Sequence, residues 1–217
     1  LEKIEVPSRE RTEFLRGIAA RIHDYIQGAV NRYLVGDNEE MDKRQYMNLN
    51  GLPYEKYPDM LTTAMRLIDT SNHLYHIMKV KKHYFQGVNY RLGYLSPNRI
   101  ENGNYIENAL YHQQKALGLD SNAAYVQNEL GIISKWQKDY SKAESYFSKA
   151  CALVPTWSIP RSNLSSLYYT EKKYNKGLEE GLKSLSIQSD YANGHINTGK
   201  NAMKLNNLLI AKEAFIK

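Results

Sequence analysis

The stretch AYVQNELGIISKWQKDYSKAESYFSKACALVPTW, Ala124–Trp157, runs without a gap into SIPRSNLSSLYYTEKKYNKGLEEGLKSLSIQSDY, Ser158–Tyr191. A third copy starts at Ala192 and reaches Lys217. Counted from the first residue of each copy, the eighth place is Gly131, Ser165 and Gly199, and the twentieth is Ala143, Gly177 and Ala211. The seventeenth place is Tyr140, Tyr174 and Leu208, while Ala150 and Ser184 share the twenty-seventh. Small residues at fixed offsets between larger apolar ones mark two helices that pack closely on each other and on the next pair. The period is 34 residues, and a self-similar unit of that length is the mark of a helical repeat array.

The unit with Leu130-Gly131, Asp139-Tyr140-Ser141-Lys142-Ala143, Phe147, Ala150, Leu153 and Pro155 resembles the tetratricopeptide repeat. The resemblance implies an all-α fold, a right-handed superhelix of antiparallel helix pairs. It covers 124–217 best: units at 124–157 and 158–191, then a partial unit at 192–217. Residues 73–123 read as a similar unit whose helices are separated by roughly ten extra residues around Gly93–Gly103. There, either the first helix runs on or a loop protrudes. Residues 1–72 form an N-terminal helical region, either a degenerate repeat with a long insertion or an unrelated helical cap.

In that region Ser8 can cap a helix reaching about Val35, with a stripe of Phe14, Ile18, Ile22, Ile26 (or Tyr25), Ala29 and Tyr33 and a stop at Gly36-Asp37. Residues 37–56 read as an irregular insertion with a short helical turn near Glu39–Arg44. Pro58 opens a further helix that ends near Ser71-Asn72. The chain opens on Leu1 and breaks off inside its last unit, so it is expected to be part of a longer protein, or to self-associate through the open C-terminal repeat.

Composition removes several function classes. The net charge of +6 is spread without the dense stripe that nucleic-acid binding needs, so no nucleic-acid partner is expected. No apolar run approaches bilayer length and no secretion signal opens the chain. The chain is therefore expected to be soluble and not inserted in a membrane, with a cytoplasmic setting preferred over a periplasmic or secreted one. Cys151 is the single cysteine and reads as a buried, inert thiol. His73, His76 and His83 cluster, but no carboxylate or cysteine completes a tetrahedral set, so they read as interfacial histidines. Phosphate loops, nucleophile elbows and metalloprotease motifs are missing. The sequon at Asn163 falls inside a helix at packing places and is expected to be unused. No enzyme activity, cofactor or metal is expected.

The resemblance instead implies a partner held on the concave face, which the first helices line with their second, fifth, sixth, ninth, twelfth and thirteenth places. From these places come the candidate contacts Tyr125, Asn128, Ile132, Lys135 and Trp136 in one unit and Ser162 and Tyr169 in the next. Asn197, Lys200 and Lys204 follow in the last unit, and Tyr84 and Arg91 precede them. Rings, amides and cations with a single acid, Glu129, suit an extended peptide or protein segment with apolar anchors and acidic character. Relatives that grip a chaperone's C-terminal carboxylate share only Asn163 with this set, so that mode is not expected. An accessory module of a larger enzyme, or a small-ligand sensor, are the rival readings. Finally, Gly177 and Gly181 fall in a second helix, where each should cost roughly 1 kcal/mol against alanine. That helix is expected to be the softest, and Gly177→Ala to stabilise it.

Overall fold

A computed structural model describes residues 8–45, 52–96 and 103–216, and every regular element among them is helical. In chain order the helices are α1 (Ser8–Leu34), α2 (Asn38–Gln45), α3 (Tyr57–Met65), α4 (His73–Leu95), α5 (Tyr105–Leu119) and α6 (Ala124–Trp136). They continue with α7 (Tyr140–Leu153), α8 (Ser158–Thr170), α9 (Tyr174–Ile187), α10 (Ala192–Lys204) and α11 (Leu208–Ile216). The fold is all-α, as the repeat implied. The helices group into two compact units: α1 up to Val30 with α3, α4 and α5, and the stretch from Asn31 through α2 with α6–α11.

The first unit is organised by α4 and α5. The Asn72 side chain caps α4, its Oδ1 accepting from the Leu74 N–H at 2.9 Å. α4 then continues to Leu95, so the extra length in this unit is carried at least in part by helix; residues 97–102 of the connection lie outside the described residues. Tyr54, Tyr57 and Phe85 form a ring cluster with centroids 4.9–5.5 Å apart. Ile26, Leu61, Met78 and Tyr84 are fully buried in this unit's core. The apolar stripe of α1 begins later than its spacing suggested: Phe14 is 69% exposed, whereas Ala19, Ile26, Ala29 and Val30 are buried. α3 ends at Met65, short of the expected Ser71.

In the second unit the period is visible in the backbone. Each first helix ends on a residue in the left-handed region: Lys138 (φ 62), Lys172 (φ 61) and Asn206 (φ 56). Each is followed by the same pair of bonds, Lys138 N–H to Lys135 O and Asp139 N–H to Ser134 O in the first case. The equivalents are Lys172 to Tyr169 with Lys173 to Tyr168, and Asn206 to Met203 with Asn207 to Ala202. This is the Schellman closure, which satisfies the last carbonyls of a helix and reverses the chain. At the start of the first helices Ala123, Trp157 and Tyr191 occupy one repeat position, and all three are buried.

Gly177 and Gly181 are where the structure reverses a sequence expectation. Both are buried on α9, at the contact with α10. A Cβ on Gly177 would meet the Asn201 side chain, and one on Gly181 would lie 2.4 Å from Thr198 Oγ1 and 3.2 Å from its Cα. In the flanking units a phenylalanine, Phe147 or Phe215, fills the space over Gly131 or Gly199. Here Thr198 and Asn201 occupy it. Asn201 Nδ2 donates to Ser165 O and Oγ, each at 3.2 Å, and Ser165 Oγ donates to Gly177 O at 2.6 Å. Helix propensity favours alanine by roughly 1 kcal/mol, but overpacking a close contact costs about 1–3 kcal/mol. Gly181→Ala, whose clash includes backbone, is therefore expected to lower stability by a net 1–2 kcal/mol or so, and Gly177→Ala also to destabilise. Denaturant midpoints of the two variants decide this; a rise in either would restore the propensity argument.

Candidate interaction surface

The first helices α6, α8 and α10 of the second unit carry a polar ladder. Asn163 Nδ2 donates to Asn128 Oδ1 at 2.9 Å. One repeat later, Asn197 Nδ2 donates to Ser162 Oγ at 2.9 Å and to Ser162 O at 3.1 Å. The sixth place of each unit thus binds the fifth place of the unit before. The ladder's free end is taken by the chain itself: Asn128 Nδ2 donates to Tyr33 Oη at 2.7 Å.

The segment from Asn31 through α2 fills the part of this face nearest the N-termini of the first helices. Gly36, with φ 72, ends α1, and Asp37 Oδ1 caps α2 by accepting from the Glu40 N–H at 2.9 Å. The turn sets Tyr33 edge-on against Trp157, centroids 5.0 Å apart, and Trp157 Nε1 donates to Tyr33 O at 2.9 Å. Met41 joins the same cluster with Ala124, Ala150, Ile159 and Tyr191. Gln188 Nε2 donates to Gly36 O at 3.0 Å. The Arg44 guanidinium lies 3.8 Å from the Tyr33 ring centroid, bonds Glu40 through Nε (3.0 Å) and Nη2 (2.9 Å), and faces Glu129 at 3.8 Å. Glu40 and Glu129 are both fully buried, and Arg32 approaches Glu40 at 3.6 Å.

The expected contact residues therefore divide. Asn128 and Ser162 are buried in the ladder, and Tyr125 packs against the Tyr33 cluster. Ile132 packs against the cluster of Ala143, Phe147, Leu164, Leu167 and Tyr168, and Asn197 is half-buried over Ser162. Farther along the same helices Trp136 and Tyr169 are half-buried, and Lys200 and Lys204 are exposed. Lys135 is half-buried as well and donates to Ser166 Oγ at 2.6 Å. Burial, with the nearby charge of Lys200, holds the Lys135 ammonium below the usual lysine range. Tyr84 and Arg91 sit in the first unit, and both are buried there.

Tyr33, Arg44, Met41 and Gln188 were not among the expected contacts. In the sequence Tyr33 showed only as the end of the α1 stripe, Met41 and Arg44 only as part of the short helical turn after Gly36-Asp37, and Gln188 not at all.

Two solved chains of MamA share this fold. One, residues 41 to the end of MamA from Desulfovibrio magneticus RS-1, is 16% identical, with a TM-score of 0.55 and coverage of 92% of each chain. The other, a MamA RS-1 ArsTM double mutant, is 17% identical with the same TM-score, covering 92% of this chain and 91% of its own. At such identity the likeness shows the fold alone. No family model matches this sequence, nor does any curated protein.

The remaining titratable groups are held mainly by packing. Burial pushes the Cys151 thiol up to about 11, which keeps it protonated and inert. His83 and His112 stack with their Nδ1 atoms 3.2 Å apart, and His76 bonds Leu119 O at 3.1 Å. Among the described residues no group of three or more His, Cys, Asp or Glu is placed to hold a metal. Lys81 donates to His23 Nε2 at 3.0 Å, and burial pushes its ammonium down to about 8. No described helix is long and apolar enough to cross a membrane.

Proposed function

We propose that the chain is a non-catalytic scaffold that holds a protein or peptide segment on the open part of the α6, α8 and α10 face. The observation that carries this reading is the occupancy of the neighbouring part of that face by the chain's own residues 31–45, which dock through a ring, a guanidinium and backbone carbonyls. The docked segment uses the ladder's end, and the rest of the same face is left open to a second segment. The open part supplies Trp136 and Tyr169 as ring anchors, with Lys135, Lys200 and Lys204 beside them. Aromatic residues in partly desolvated positions are the usual energetic anchors of an interface. Their cations favour a segment of acidic character. A second surface, the exposed Leu208, Leu209 and Ile216 of α11, supports self-association at that end of the array.

The test selects displayed random peptides on the full chain and measures the winners against two variants. Trp136→Ala is expected to weaken them by about 2 kcal/mol or more with helicity unchanged. Leu182→Ala, on the exposed side of α9, is expected to leave them unaffected. Peptides indifferent to Trp136 but lost on altering α9 would place binding on the second helices and overturn the reading.

A further inference from the structure

The open part of the face holds hydrogen-bond donors that are only partly used. Lys135 on α6 spends one N–H on Ser166 Oγ, and among the described residues it has no carboxylate partner. Ser166 accepts that bond on α8, the helix packed between α6 and α10, and its own O–H has no acceptor among the described residues. Lys200 on α10 is exposed and likewise has no acidic partner there. An ammonium has three donors and no acceptor, and a serine hydroxyl that accepts one bond still has its proton to give. Some other cations of this unit are paired with carboxylates, Arg44 with Glu40, Arg161 with Glu180, Lys173 with Glu171, and Lys183 with Glu179 and Glu180; what sets Lys135 apart from the exposed lysines is its bond to a serine on the neighbouring helix.

We infer that Lys135, Ser166 and Lys200 form a seat for a side-chain carboxylate of an extended partner segment. The inference rests on the groove reading above and names the chemistry of its ligand. An ionised carboxylate is acceptor-only and has two oxygens. One oxygen takes N–H bonds from the two ammonium groups, and the other takes the Ser166 O–H. Taking an ammonium out of water without a counter-charge is costly, and a second ammonium nearby adds to that cost. The carboxylate removes both penalties, so the seat discriminates strongly against the neutral amide of the same shape. The neighbouring rings Trp136 and Tyr169 favour a carboxylate carried on a peptide over a free oxyanion. The seat lies at the twelfth place of one unit and the ninth of the next two, away from the second-, fifth- and sixth-place positions that the chain's own segment and the ladder occupy.

The experiment uses the full chain and two blocked peptides, Ac-Leu-Glu-Phe-Glu-Leu-Glu-Phe-Glu-NH2 and its glutamine counterpart, measured by calorimetry at low salt. The glutamate peptide is expected to bind about tenfold or more tighter, with the difference shrinking as salt is added. Lys135→Met should erase most of the difference while melting at or above the parent, because a half-buried ammonium without a counter-charge has been removed. Lys200→Gln, an exposed change that leaves packing untouched, should reduce it as well and serves if Lys135→Met fails to fold. Equal binding of the two peptides would overturn the carboxylate seat and leave the groove reading standing. Binding by neither, or a contrast that survives both variants, would also overturn the seat. Removing the terminal amide should add less than the glutamates do; a dominant effect of the free terminus would reassign the site to C-terminal capture. Inorganic phosphate should compete no better than chloride at matched ionic strength, and stronger competition would make it an oxyanion site instead.

Discussion

Replacing Tyr33 with alanine is expected to cost the repeat unit about 4 kcal/mol, in the range for truncating a buried aromatic. The ring is 2% exposed and meets Trp157, the largest fully buried side chain among the described residues, edge-on. Its loss also removes the acceptor for Asn128 Nδ2 and the face beneath Arg44. Tyr33→Phe keeps the ring and should cost only about 1 kcal/mol, the net worth of one hydrogen bond. The pair of variants separates packing from the ladder bond. Denaturant unfolding followed by hydrogen exchange in α6, α7 and α8 reads the effect where it should fall. A loss below about 1 kcal/mol for the alanine variant would mean that residues 31–45 merely rest on the repeats.

That outcome bears on the proposed function, because the docked segment lies on the same face on which we place a partner. Asn128 and Ser162, set by repeat register at binding places, are spent on Tyr33 and on Asn197. The open part is left to Lys135, Trp136, Tyr169, Lys200 and Lys204. A variant that loosens residues 31–45 frees the Asn128 amide and the Glu129 carboxylate together. The accessible surface of α6 is thus coupled to the stability of a short helix that lies far from it in sequence.

The repeat itself was legible because packing in such an array recurs at a fixed offset, and Gly131, Ser165 and Gly199 or Ala143, Gly177 and Ala211 report it directly. The Schellman turns were not. Two of the three left-handed residues are lysines, Lys138 and Lys172, and only Asn206 belongs to a type that commonly enters that region. Gly177 and Gly181 misled because helix propensity is a property of one residue, whereas their role belongs to Asn201 and Thr198 on the following helix. The docking of α2 was hidden for a related reason. Its sequence, NEEMDKRQ, is polar nearly throughout, and a Glu40–Arg44 pair four residues apart reads as a solvated surface pair. The carboxylate of Glu129, brought up from a separate helix, joins Arg32 and the Tyr33 ring in turning that pair into a buried network.

Arg44 is consequently the side chain on which the docking of α2 depends most. Its guanidinium is 2% exposed and stands between two carboxylates that are fully buried, Glu40 and Glu129. Removing one member of a buried ion pair costs about 3–5 kcal/mol, because the charge left behind keeps its desolvation penalty and loses its compensation. Arg44→Ala is expected to fall in that range. Arg44→Lys keeps the charge but not the fork that reaches Glu40 through two nitrogens, and should retain only part of the stability. The distances rank the two partners. Glu40 is bonded at 2.9 Å and Glu129 approaches to 3.8 Å, so double-mutant cycles with Glu40→Gln and Glu129→Gln should give the larger coupling for Glu40. The loss should also be insensitive to salt, since buried pairs are poorly screened. A cost for Arg44→Ala below about 1 kcal/mol, the size of an exposed pair, or one that fades as salt is raised, would mean that water reaches the network and that α2 is not held in the groove by its charges.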